Sequence, residues 1–159
     1  MTTAEDVIMA ARRTRATLAL AESCTGGLLA SALTAVAGAS DVFDRGFVTY
    51  SNHAKREMLG VEQDALDLHG AVSEEIALQM ARGALARSGT SLALSITGIA
   101  GPGGSGFKPE GRVCFGIATK RGATTETVEF GALGRTGVRA ASVNYALDLL
   151  LAALAPPEP

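Results

Sequence analysis

Leu18-Ala19-Leu20-Ala21-Glu22-Ser23-Cys24-Thr25-Gly26-Gly27-Leu28-Leu29 is the stretch on which the reading of this chain turns. Leu18 to Ala21 is a short apolar run, the pattern of a buried strand. Apolar residues then recur at Leu28, Leu29, Ala32, Leu33 and Val36, which is helical spacing. A strand therefore feeds a helix through Glu-Ser-Cys-Thr-Gly-Gly. Paired glycines let a backbone turn sharply and let a ligand approach it closely. A helix start leaves N–H groups without intrahelical partners and carries partial positive charge. Ser23 thus sits beside donors suited to an anion or a developing oxyanion, as in a nucleophile turn, though the Gly-x-Ser-x-Gly pattern is absent. The plainer alternative is a capped helix start packed on a strand.

The rest of the chain bounds the function class. It has 159 residues, 47% apolar and 19% charged, which suits one globular domain with a proper core. The formal net charge is −2, there is no basic block, tryptophan is absent and aromatics make up 4%. Nothing here suggests a nucleic-acid groove or a membrane surface. No apolar run approaches a membrane span, and the acidic N-terminus lacks a signal-peptide plan. Cys24 and Cys114 are the only cysteines, which fits a cytoplasmic chain with reduced thiols. His53 and His69 have no second ligand at metal spacing, so no metal site is expected.

Taken in order, Thr2-x-x-Glu5 matches a capping box and opens a helix over 3–14. A strand over 17–22 follows, then the Ser23 turn and a helix to about residue 37, stopped by Gly38. Phe43 to Tyr50 reads as a second strand. Ser51 or Asn52 caps a short helix closed by Gly60. Residues 61–72 read as a loop with a partial helical turn, and Ser73 caps a longer helix. Ser91 to Thr97 is a third strand, running into a loop with five glycines in the nine residues Gly98–Gly106. Strands over 112–119 and 124–130 flank the turn Lys120–Ala123. A last helix spans about Arg135 to Leu154, ended by Pro156-Pro157-Glu158-Pro159. Alternating helices and strands imply an α/β fold: a single three-layer α/β/α domain over 1–159, core about 4–154, with a mixed, mostly parallel sheet. Ligands in such sheets gather beyond the carboxyl ends of the strands. Ser23, Tyr50 to Lys55 and Thr97 to Gly104 all follow strands, which points to one composite site.

Serine needs a base, and lysine serves if its pKa falls well below the usual range. Lys55 lies in the first turns of a helix, whose dipole disfavours an ammonium there, and Arg56 acts the same way. The Tyr50 hydroxyl could relay a proton or orient the lysine. The alternatives are a solvated Lys55 and a half-buried strand end at Tyr50. Cys24 is the rival nucleophile, or a small buried residue behind the turn. Glu22 either binds substrate or accepts turn N–H groups, the second being favoured. The glycine loop is either an anion cradle or a flexible connection. Arg135 and Arg139 are four apart on one helical face, either a phosphate clamp or a solvated first turn.

Four motifs occur here in one order: Ala21 to Gly27, Tyr50-Ser51-Asn52 with Lys55, Gly70 to Glu75, and Thr97 to Gly104. Together they resemble the CinA C-terminal domain family, whose enzymatic members are nicotinamide-nucleotide amidohydrolases. The resemblance covers about residues 4–154 and looks like the stand-alone form, without the N-terminal nucleotide-hydrolase-like domain of full-length CinA. It implies deamidation of nicotinamide mononucleotide, with Ser23 as nucleophile, Lys55 as general base and Tyr50 in support. Thr97, Gly98, Gly101 and Gly103 would line the nucleotide site. Gly26 and Gly27 would meet the oxyanion, and Arg135 or Arg139 would hold the 5′-phosphate. No metal or cofactor is required. The apolar last helix and Ala-rich surfaces suggest a homo-oligomer. Two other function classes stay open: a non-catalytic nucleotide-binding module linked to competence or stress, and an amidase for another small substrate.

Overall fold

The computed structural model describes residues 1–156. Its elements are α1 (Ala4–Thr14), β1 (Leu18–Glu22), α2 (Leu28–Thr34), β2 (Phe43–Val48), α3 (Asn52–Leu59), α4 (Gln63–His69), α5 (Glu74–Ser88), β3 (Leu92–Gly98), β4 (Arg112–Thr119), β5 (Gly122–Glu129) and α6 (Gly134–Leu154). A short 3₁₀ turn, Ala39–Asp41, precedes β2. The sheet order is β2-β1-β3-β4-β5. β1 pairs parallel with β2 and β3, whereas β4 runs antiparallel to β3 and to β5. The fold is α/β with a mixed sheet, parallel at its centre.

Strand alternation divides the core. Leu18 and Leu20 of β1, with Leu92, Leu94 and Ile96 of β3, face a cluster completed by α1, α2 and α6. Ala19, Ala21 and Ala93 face the other way, toward Ile76, Met80 and Ala84 of α5. Both faces are covered, which is why β1 reads as an unbroken apolar run. The α5 face is built from small residues, so the helix sits close. The Ser95 hydroxyl donates to the Ala77 carbonyl at 2.6 Å. A Cβ on Gly116 would fall 2.6 Å from that same carbonyl oxygen. On the far side of α5, a Cβ on Gly83 would strike the Leu59 carbonyl of α3 at 2.0 Å. A methyl group at either glycine would force the layers apart.

Several boundaries differ from the sequence reading. The capping box is Thr3 with Asp6, not Thr2 with Glu5; the one-residue shift lets both reciprocal bonds form. α2 ends at Thr34 and β2 at Val48. Residues 63–69 form a full helix, α4, where a loop was expected. The β4–β5 turn is only Lys120–Arg121, because Gly122 already pairs with Thr119. α6 has the length and apolarity of a membrane span, a property the sequence reading denied to any run. Here its buried side, including Val138, Ala146 and Leu150, packs on the sheet and on α1. α6 stops at Leu154; Pro157 to Pro159 of the expected proline stop lie outside the described residues.

Candidate active site

The site forms where β1, β2 and β3 end. The Ser23 N–H still donates to the Ile96 carbonyl of β3, at 3.0 Å, so the sheet fixes the backbone up to the hydroxyl. The chain then turns: Gly26 N–H donates back to the Ser23 carbonyl at 3.0 Å, and both Gly26 and Gly27 have positive φ. No side chain of the turn caps α2. Glu22 does so from the strand, its carboxylate accepting from Leu29 N–H at 3.0 Å and Ala30 N–H at 2.9 Å.

From the neighbouring edge, β2 delivers Thr49 and Tyr50, and Ser51 caps α3 by accepting from Ala54 N–H. That start points Lys55, one turn in, back toward Ser23. Its Nζ lies 2.9 Å from Ser23 Oγ, 3.0 Å from the Thr49 carbonyl and 3.3 Å from the Tyr50 carbonyl. Lys55 is 1% exposed, a charged-type side chain among the largest fully buried ones of the described residues. Burial lowers its pKa from the ordinary lysine value, opposed in part by the neighbouring Cys24. Burial also pushes the Cys24 thiol up, to about 11. The thiol is therefore neutral near pH 7.

A cavity of about 370 Å³ opens over this pair. Its lining includes Ser23, Cys24, Tyr50, Lys55, Ala71, Thr97, the loop Gly98–Ser105 and Arg135. A larger cleft of about 510 Å³ lies at the opposite end of the sheet, between the end of α1, the β4–β5 turn and the end of α6. The smaller cavity is the candidate site because it holds the Ser23–Lys55 contact.

The model of the CinA C-terminal domain matches residues 1–154. The chain belongs to that family. It is 48% identical over 151 residues to the nicotinamide-nucleotide amidohydrolase PncC of Escherichia coli K12, covering 94% of this chain and 92% of that protein. It is 51% identical over 134 residues to a CinA-like protein of Syntrophobacter fumaroxidans, covering 84% of this chain but only 31% of that longer protein. The crystal structure of the competence/damage-inducible protein CihA from Agrobacterium tumefaciens superposes with a TM-score of 0.85 at 49% identity, over 92% of this chain and 94% of that one.

Several expected site residues of this CinA domain take other places. Glu22 is buried as the α2 cap and does not line the cavity. Gly26 and Gly27 also lie off its lining, and Gly26 N–H is engaged by Ser23. Arg139 does not reach the cavity. Its Nε donates to the Cys24 carbonyl at 3.1 Å and its Nη2 to the Thr25 carbonyl at 3.3 Å, bracing the serine turn from behind. The Tyr50 side chain is 59% exposed, and its hydroxyl accepts from Arg135. It is the Tyr50 carbonyl that meets the lysine. Arg135 lines the cavity and also donates to the Gly101 carbonyl at 2.6 Å. Thr97 lines it too, but its hydroxyl donates to the Ala71 carbonyl at 2.8 Å. Gly98, Gly101 and Gly103 line the same cavity as Lys55.

Three contributors escape sequence reasoning. Thr49 acts through a carbonyl, which carries no residue-type signature. Lys108 ties the far loop down by donating to the His69 and Val72 carbonyls. Glu110 accepts from Gly103 and Gly134 N–H groups. Among the described residues no cluster of three His, Cys, Asp or Glu side chains is placed to hold a metal ion.

Proposed function

We propose that this protein hydrolyses the carboxamide of nicotinamide mononucleotide, giving nicotinate mononucleotide and ammonia. The observation that carries the reading is the buried Lys55 amine in hydrogen-bond contact with Ser23, in a chain 48% identical to a nicotinamide-nucleotide amidohydrolase over nearly the length of both.

The contacts of Lys55 suit a base. A neutral amine has two N–H donors and one lone pair. The Thr49 and Tyr50 carbonyls accept both donors, which leaves the lone pair facing the Ser23 hydroxyl. Ser23 Oγ attacks the amide carbon while its proton passes to Nζ. The resulting ammonium is also satisfied, with three donors and three acceptors. It returns the proton to the amide nitrogen as the C–N bond breaks and ammonia leaves. Water then attacks the acyl-enzyme, losing its proton to Lys55, and nicotinate mononucleotide departs as Ser23 is reprotonated. The N–H groups of Gly26, Leu29 and Ala30 are already engaged, so the oxyanion falls to the remaining donors of the turn. Arg135, at the cavity mouth, is the better candidate for the 5′-phosphate, since Arg139 is turned toward backbone carbonyls. Such a substrate and two free, buried thiols fit a cytoplasmic enzyme. The long apolar α6, whose Val143, Leu149 and Leu151 are only partly covered by the chain's own core, is the ground for a homo-oligomer, which a monomer mass in light scattering would rule out.

The test is ammonia release from nicotinamide mononucleotide by the wild type, Ser23→Ala and Lys55→Ala. Release by the wild type alone, with both variants folded, supports the assignment. Release from nicotinamide or NAD but not from the mononucleotide would point to a different small-molecule amidase. Nucleotide binding without any release would leave a binding module.

A further inference from the structure

Glu110 lies outside every motif, in the loop that precedes β4. Its two carboxylate oxygens hold two different elements. One accepts from Gly103 N–H at 2.6 Å, in the glycine loop that walls the cavity. The other accepts from Gly134 N–H at 2.9 Å, at the first residue of α6. A carboxylate suits that position, because the helix start offers an unpaired N–H and partial positive charge. One residue further along α6, Arg135 donates to the Gly101 carbonyl at 2.6 Å. Loop and helix are thus joined in both directions, acid to amide and guanidinium to carbonyl. The fit is close: a Cβ on Gly101 would fall 2.5 Å from the Glu110 carboxylate, and Gly101 has φ +88°.

We propose that Glu110 is a positioning residue for the binding cavity, a carboxylate clamp that holds the Gly101–Gly104 wall against the first turn of α6 and so sets its distance from Arg135. This rests on the amidohydrolase reading for its kinetic consequence, but not for the clamp itself. Ser23 and Lys55 hang on the turn after β1 and on α3, which Glu110 does not touch. Loss of the clamp therefore weakens substrate binding and spares the chemical step.

Glu110→Gln keeps the shape but turns one of the two acceptor oxygens into an NH2 donor, so it cannot receive an N–H at each end. Amide exchange at Gly103 and Gly134 should speed up about tenfold or more in this variant. KM for nicotinamide mononucleotide should rise about tenfold, the loss of one charge-assisted bond, with kcat within about twofold. Gly101→Ala, which displaces the carboxylate from the other side, should move KM in the same direction. Unchanged exchange at both glycines in Glu110→Gln would overturn the clamp. Faster exchange with unchanged KM would overturn its role in binding, as would a fall in kcat with KM constant. If the wild type releases no ammonia from the mononucleotide, the amidohydrolase reading fails, and the exchange result still decides whether the clamp exists.

Discussion

Lys55 Nζ stands 2.9 Å from Ser23 Oγ across 32 positions of sequence, and the amine is closed off from solvent with no carboxylate of the described residues in hydrogen-bond contact with it. A buried lysine without a counter-charge is costly for stability, and it is the arrangement a neutral base requires.

Replacing Lys55 by methionine separates these two effects. Ammonia release should fall by at least about a hundredfold, the usual contribution of a general base. Stability at pH 7 should stay level or rise, because an apolar side chain of similar length removes the desolvation penalty. Thermal melting beside the activity assay checks both; a large loss of stability would show that the lysine contacts hold the fold.

The pH dependence follows from the lowered lysine pKa. Between the folded-state value and the usual 10.5 of the unfolded chain, the unfolded state binds more protons, so Lys55 makes stability rise with pH through that window. The destabilisation it causes is complete below the folded-state pKa and is relieved as the amine deprotonates. The stability gap between Lys55→Met and the wild type should therefore narrow as pH climbs from 7 toward 10, read by denaturant midpoints. kcat/KM should rise with pH along an ascending limb that lies below the ordinary lysine range. A limb at the ordinary value would exclude Lys55 as the base.

Cys24 should be dispensable for the chemistry. With its thiol pushed to about 11, it should resist alkylation at pH 8. Cys24→Ala should keep activity within about tenfold, any loss reflecting a small packing defect against Gly98. Activity that survives in Ser23→Ala but not in Cys24→Ala would hand the attack to sulfur.

Tyr50→Phe distinguishes a hydroxyl relay from a backbone contact. The phenylalanine keeps the carbonyl that Lys55 uses and loses only the bond from Arg135. KM should rise a few-fold with kcat nearly unchanged, since one exposed bond is worth about 1 kcal/mol. A thousandfold fall in kcat would restore the relay.

The two α6 arginines should behave differently, although their spacing makes them look alike. Arg135→Ala should act on KM, as a residue of the cavity mouth. Arg139→Ala should act on kcat, because it frees the Cys24 and Thr25 carbonyls beside the nucleophile. Steady-state kinetics of both variants would show the split, and equal effects on KM would refute it.

Residue type and spacing bring out Ser23 and Lys55, the two side chains that the structure sets in contact, and the local features that place them. The Leu18–Ala21 run, the glycine turn and the Ser51 cap are local features, and each lies where its pattern puts it. What stayed hidden acts through backbone or across distance. Thr49 and Tyr50 serve by their carbonyls, which any residue would supply. For Glu22 the favoured alternative, an acceptor of N–H groups, is the one observed, with the donors being Leu29 and Ala30 at the start of α2. Arg135 and Arg139 share a helical face, but four residues of rise carry one to the cavity and the other behind the turn. The capping box slipped by one because Thr2 and Thr3 each have an acid three residues on, and only geometry chooses between them.

The brace from Arg139 to the Ser23 turn spans 114 and 115 positions of the 159-residue chain. Ser23 and the helix that braces its turn are thus far apart in sequence, and the brace closes only through long-range folding. A chain cut before Arg139 would keep Ser23 and Lys55 but lose the two donors that reach the Cys24 and Thr25 carbonyls.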